Sequence, residues 1–265
     1  MNLQGKRELF VDHYLVDKLE GGARLVLEKP RNEGVVFKYD KPWEGRYSGY
    51  GVFMKVADGD FRYYYRGSPR LVDGPTEIER QTCVAFSKDG INWQRPNIGK
   101  FELYGSKNNN VILMEGTGSH NFAPFLDTRP GVPKKERFKA LAGERFQGLF
   151  IYASADGLNW KKMFGGKPVL QGKYLDAMNV AFWSETEQQY VLYGRVWKGG
   201  WKGWRWIGRS TSKDLQNWTP LEAVRILHDG RDVPDQHYYH SGLQPYFRAP
   251  HIYISLCSMM TTGRF

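Results

Sequence analysis

Acid–base chemistry in this chain would have to come from a few carboxylates and imidazoles placed beside short apolar runs. Asp176 stands between Leu175 and Ala177, just ahead of Val180-Ala181-Phe182. An acid there is costly unless it works or caps local amides. Glu77 and Glu79 lie in the polar loop 67–80, and Glu44 follows Pro42-Trp43. One carboxyl group protonating a leaving oxygen while another activates water is the reaction such residues support. Asp176 and Glu79 are the expected catalytic pair, with Glu44 third. His120, His237 and His240 offer acid–base groups, hydrogen-bond donors or metal ligands. Nothing in their spacing demands a metal, and no cofactor is expected. Arg66 and Arg195 end corresponding strands and suit a carboxylate or sulfate, or an internal acid. Asn121 and Asn179 complete the expected binding groups.

These residues are far apart in sequence, so a repeated scaffold must gather them. The stretch Ser87-Lys88-Asp89-Gly90-Ile91-Asn92-Trp93 returns as Ser154-Ala155-Asp156-Gly157-Leu158-Asn159-Trp160, and more loosely as Ser212-Lys213-Asp214-Leu215-Gln216-Asn217-Trp218. Its tryptophans are 67 and then 58 residues apart. A period of that size in strand-like sequence indicates a blade array. Asp-Gly tolerates positive φ, so each copy reads as a turn between strands, and its aspartate as a turn residue.

A second mark keeps phase with the first. Inner strands are expected at Gly51-Val52-Phe53, Ala123-Pro124-Phe125, Val180-Ala181-Phe182 and Gln244-Pro245-Tyr246. The aromatic residue precedes the next motif tryptophan by 40, 35 and 36 residues in the three complete units. The fold class is therefore all-β, a single β-propeller over 1–265. Blade one covers about 48–105, with a fourth strand near Phe101 to Tyr104. Blade two covers about 119–170, blade three about 177–225, and a partial blade four about 240–265. N-terminal strands are expected within 8–40. The propeller reads as incomplete, three full blades and the start of a fourth, and its open edge would pair with another copy of the chain.

In such an array the segments leading into the inner strands and the loops joining second to third strands meet at one end of the axis. They would bring together Glu44, Arg66, Glu77, Glu79, His120, Asn121, Asp176, Asn179, Arg195, His237 and His240, with the tryptophans of 201–206 packing nearby. Carboxylates, aromatic faces and hydroxyl-binding amides suit a sugar. The net charge of +10 adds an anionic glycan to the options. The basic residues are scattered and match no nucleic-acid motif, so nucleic acid is not an expected partner. No apolar run reaches about 18 residues, so no membrane span is expected. The opening Met1 to Arg7 lacks the apolar core of a signal peptide, which reads as cytoplasmic or as a secreted chain without its leader. Cys83 and Cys257 have no paired spacing and read as buried free thiols.

The repeated Ser-x-Asp-Gly-x-x-Trp unit resembles the five-bladed propeller glycosidases of glycoside hydrolase families 32 and 43. Bacterial relatives of that superfamily are similar at Arg7-Glu8-Leu9-Phe10-Val11-Asp12, at Gly118-Ser119-His120-Asn121 and at Gln244-Pro245-Tyr246-x-Arg248-Ala249-Pro250-His251. The resemblance spans about residues 7–265 and is specific for fold more than for activity. It implies hydrolysis of an oligo- or polysaccharide by three carboxylates around the axis. This chain departs from that pattern. Blade one offers Ser48-Gly49-Tyr50 with Glu44 four residues earlier, and blade two offers His120-Asn121 in place of an aspartate. Blade three offers Asp176 in place of a glutamate, while Glu77 and Glu79 could supply a carboxylate from their loop. The alternative is a non-catalytic glycan-binding propeller.

Overall fold

A computed structural model describes residues 5–69, 80–144, 146–172, 175–176 and 178–261. Blade one is an antiparallel meander of β1 (Gly49–Ala57), β2 (Asp60–Gly67), β3 (Gln81–Ser87) and β4 (Trp93–Gln94), with β5 (Val111–Leu113) also on β3. The fourth position is shared, because Trp93–Gln94 pairs with the end of β3 and Val111–Leu113 with its start. The strand expected near Phe101 to Tyr104 is instead a tight turn. Leu103 bridges Ser106 across Tyr104 and Gly105, whose φ values of 52° and 73° bend the chain back on itself.

A short helix, α1 (Gly116–His120), leads into blade two. That sheet is β6 (Ala123–Leu126), β7 (Phe138–Glu144), β8 (Gly148–Ser154) and β9 (Lys161–Lys162) in sequence order. Blade three repeats the order with β10 (Val180–Ser184), β11 (Gln189–Lys198), β12 (Trp204–Ser212) and β13 (Glu222–Ala223). A hairpin of β14 (Leu227–His228) and β15 (Arg231–Asp232) follows. The fourth unit pairs β16 (His237–His240) with β19 (Ser258–Met260), and β17 (Gln244–Tyr246) with β18 (Ala249–Ile254). The inner strands β1, β6, β10 and β17 contact one another in succession, as blades around an axis do.

Burial between blades explains why these strands are apolar on both faces. Met54, Tyr64 and Val84 of blade one enclose Phe138 of blade two. Leu141 and Ile151 of blade two meet Trp183 and Leu192 of blade three. Phe182 and Val191 then meet Tyr238 and Tyr253 of the fourth unit. The remaining face of blade one, with Tyr63, Tyr65 and Cys83, is covered by Phe37 and Trp43 from the N-terminal segment. Among the described residues that segment forms no strand. Leu9 to Val11 and Leu25 to Leu27 find no sheet edge, and Val11 and Leu27 stay 81% and 95% exposed. Cys83 is a buried free thiol, whereas Cys257 is only partly buried.

The three motif copies share one hydrogen-bond pattern. In the first, Asp89 Oδ1 accepts the Ile91 and Asn92 amides at 2.8 Å, and Oδ2 accepts Asn92 Nδ2 at 2.7 Å. Asp156 and Asp214 do the same in theirs. Each tryptophan indole donates to the carbonyl three residues back. Leu215 holds φ 67° where the other copies have glycine, and its side chain is buried between blades two and three.

Accepting amide hydrogens holds the Asp214 carboxyl at about 2; the same bonds outweigh partial burial at Asp156 and hold it at about 2 as well, against an ordinary value of 3.8. The stabilisation they give is therefore present above about pH 4 and fades as pH falls toward 2. Thermal unfolding followed from pH 5 to 2 should show the midpoint falling through that window, with a shallower fall in Asp156→Asn. Gly157 has φ 76°, and a Cβ there would lie 2.5 Å from the Tyr64 hydroxyl oxygen. Gly157→Ala should cost about 2 kcal/mol in chemical denaturation, by backbone strain and overpacking at the interface of blades one and two.

Candidate functional site

Side chains from four successive units meet at one end of the inner strands. Tyr50, the second residue of β1, lies in a bulge between Gly49 and Val52, with φ 49°, a conformation uncommon for any residue but glycine. Bulges re-aim side chains, and here the Tyr50 ring lies under the Arg66 guanidinium, 4.0 Å from ring centroid to carbon. Arg66, near the end of β2, donates Nε and Nη2 to the Tyr47 carbonyl at 3.1 and 2.6 Å. Its Nη1 is 3.5 Å from Nδ1 of His120, the last residue of α1. Blade three contributes Arg195 from β11, whose Nη1 is 3.8 Å from Asp176 Oδ2 and whose Nη2 donates to the Tyr239 carbonyl. From β16 come Tyr239 and His240. The Tyr50 and Tyr239 hydroxyls are 2.8 Å apart, and the His240 ring stands edge-on to Tyr50 at 4.7 Å.

Burial sets the electrostatics of this hub. It pushes the His240 imidazole from 6.5 down to about 4, helped by the Arg195 charge and opposed by Asp176. His240 is thus neutral at pH 7. Burial and the bond to Tyr239 push the Tyr50 hydroxyl up. Burial also lowers both Arg66 and Arg195, with Arg80 adding to the effect on Arg66 and Arg205 to that on Arg195. Arg195 Nη1, His240 Nε2 and both amide atoms of Asn121 are buried and make no hydrogen bond within the described residues. Polar atoms left so cost about 1–3 kcal/mol each, which a hydroxyl-rich ligand would relieve.

The structure brings Arg66, His120, Asp176, Arg195 and His240 together, with Asn121 adjoining His120. Of the other candidates, Glu44 lies away from the hub, while Asn179 and His237 sit beside it. Glu44 is buried on the opposite face of blade one, since Tyr65, which donates to it, alternates with Arg66 along β2. Arg95 holds the Glu44 carboxylate through Nε and Nη2, both at 2.8 Å. Asn179 Oδ1 accepts the Arg195 amide at 3.1 Å and so braces β11. His237 Nδ1 accepts the Arg205 amide at 3.0 Å at the seam of β12 and β16. Glu77 and Glu79 lie outside the described residues. Trp206 packs in the interior and donates to the Val224 carbonyl, while Trp201 is 44% exposed beside Trp197. Tyr50 and Tyr239 were not among the expected residues. Their signal was present, an aromatic residue beside Gly49 and another beside His240 in segments that lead into inner strands.

No protein-family model matches the sequence, and no curated protein does. Among solved structures the chain is similar to glycoside hydrolases. A β-fructofuranosidase of Schwanniomyces occidentalis complexed with fructosyl-erythritol is 15% identical, with a TM-score of 0.46 over 69% of this chain and 36% of that one. An endo-1,5-α-L-arabinanase of Thermotoga petrophila is 13% identical, with a TM-score of 0.41 over 64% of this chain and 38% of that one. A glycosyl hydrolase of Bacteroides ovatus is 16% identical, with a TM-score of 0.43 over 68% of this chain and 53% of that one. The chain spans about a third to a half of the length of these structures. The strands and their packing define the fold independently of these matches.

His240 should titrate near pH 4 in carbon-labelled imidazole NMR. Asp176→Asn should move it lower still, because the Asp176 charge opposes the downward shift. Because the folded value lies below the unfolded one, the stability His240 contributes is complete above about pH 6.5 and is lost as pH falls through 4.

Proposed function

We propose that the hub binds an oligo- or polysaccharide carrying acidic groups and hydrolyses it by carboxylate acid–base chemistry. The supporting observation is the meeting of Arg66, His120, Asp176, Arg195 and His240, from four units, at one end of the inner strands. The charges acting on these groups are the guanidiniums of Arg66, Arg80, Arg195 and Arg205 against the carboxylate of Asp176. Such an excess favours an anionic ligand. Asp176 sits beside Arg195 with its side chain 26% exposed, so water can reach it. It is the group to draw a proton from that water, while Glu79 would protonate the leaving oxygen. His120, Asn121 and His240 would hold sugar hydroxyls, and Arg66 and Arg195 the acidic substituent.

A second reading is a glycan-binding propeller without turnover. Asp176 being the one carboxylate at the hub among the described residues, with Glu44 held by Arg95, favours it. A panel of neutral and acidic oligosaccharides assayed for binding and for released reducing ends separates the two. Hydrolysis predicts release that falls at least about 100-fold in Asp176→Asn while binding persists. Binding with no release by the unaltered protein decides for the second reading, and full turnover by Asp176→Asn removes that residue from the mechanism.

A further inference from the structure

Two like-charged guanidiniums repel when gathered at one hub, and Asp176 sits beside only one of them, Arg195. Each lies over a tyrosine ring, Arg66 at 4.0 Å from the centroid of Tyr50 and Arg195 at 5.1 Å from that of Tyr239. A ring face attracts a cation and leaves the in-plane N–H edges to bind something else. The two rings are tied by the 2.8 Å bond between their hydroxyls, which joins blade one to the fourth unit across 189 residues. Backbone carbonyls take Nη2 of both guanidiniums. That leaves the Nη1 edges, that of Arg66 turned toward His120 and that of Arg195 buried without a hydrogen bond, 3.8 Å from Asp176 Oδ2.

The backbone gives an independent sign that this pair is built for use. Among the inner strands of blades one to three, only β1 departs from register, in the bulge between Gly49 and Val52 and again between Lys55 and Ala57, whereas β6 and β10 pair without a break. The bulge holds Tyr50 at φ 49°. A bulky residue kept in that conformation marks a place where geometry is retained at a cost.

We infer that Tyr50 and Tyr239 set a preference for an acidic saccharide, by fixing the separation at which Arg66 and Arg195 present their Nη1 edges to one charged group. They are positioning residues, acting through the guanidiniums. The inference rests on the acidic-saccharide reading above and adds the residues that create the selectivity.

Calorimetric titration of the full chain with two matched pairs of probes tests it. One pair is trigalacturonate and its methyl ester; the other is a sulfated heparin tetrasaccharide and its desulfated form. Tyr50→Phe and Tyr239→Phe keep the ring and remove the tie. Each should weaken binding of the preferred acidic probe about 5- to 10-fold and leave its neutral counterpart within about two-fold. The double variant should be no weaker than either single one, because all three lose the same bond. An equal loss on both members of a pair would reduce the tyrosines to fold support and overturn the inference, as would additive losses or none. Should Tyr50→Phe fail to fold, Tyr239→Phe alone carries the comparison. If the unaltered chain prefers the acidic member of neither pair, the acidic-saccharide reading falls and takes this one with it. If it shows the preference and both variants keep it, only the role of the tyrosines falls.

Discussion

Face-to-face burial between successive sheets is the constraint on which everything else in this molecule depends. Phe138, Trp183 and Tyr253 each pack on a neighbouring blade, so the sheets are joined through shared apolar faces. Burying one large apolar side chain is worth about 1.5–3 kcal/mol, and each interface holds several. The hydrogen bonds of an exposed turn give less. Packing therefore decides which strands lie innermost, and the turns fix where each strand ends. The hub follows from both, since inner strands stacked around an axis must bring their leading segments to one place.

That place works against the stability of the rest. It gathers guanidiniums, keeps an imidazole neutral by burial, leaves amide and guanidinium atoms without internal bonds, and holds a tyrosine in a left-handed backbone. The blades are largely apolar inside, with Leu141, Leu149 and Leu192 fully enclosed. Single exceptions occur in the blades, such as the left-handed φ of Leu215, but the hub concentrates several in one place, the pattern of a scaffold that supports a site.

Much of the scaffold was legible because its signals are local. The Asp-Asn-Trp turn is written within seven residues, and each copy forms the same bonds. Its loosest copy survives because Leu215 fills an inter-blade core, offsetting its left-handed φ. Less was legible where a partner lies far off in sequence. Glu44 reads as a hub carboxylate from its neighbours, but Arg95, 51 residues on, holds it on the other face of blade one. Asn179 and His237 sit near the hub, yet backbone amides occupy them, and no sequence pattern announces such a bond. Tyr50 was hidden by its bulge, which is a property of strand register and is not written in residue type. The apolar runs at 9–11 and 25–27 read as strands by composition, but a strand needs an edge to join.

The borrowed cover on blade one has a consequence of its own. Where the inner blades lean on a whole sheet, this one leans on Phe37 and Trp43, from a segment that forms no strand among the described residues and is held by single bonds such as that from Trp43 Nε1 to Asn110. Directly beneath lies Cys83, sealed beside Gly67 and the Trp43 carbonyl, its thiol made less acidic by burial. The cysteine is therefore a sentinel for peeling of the N-terminal strap. Its reactivity toward alkylation should stay low while Phe37 and Trp43 cover it and rise when either that cover or blade one itself opens.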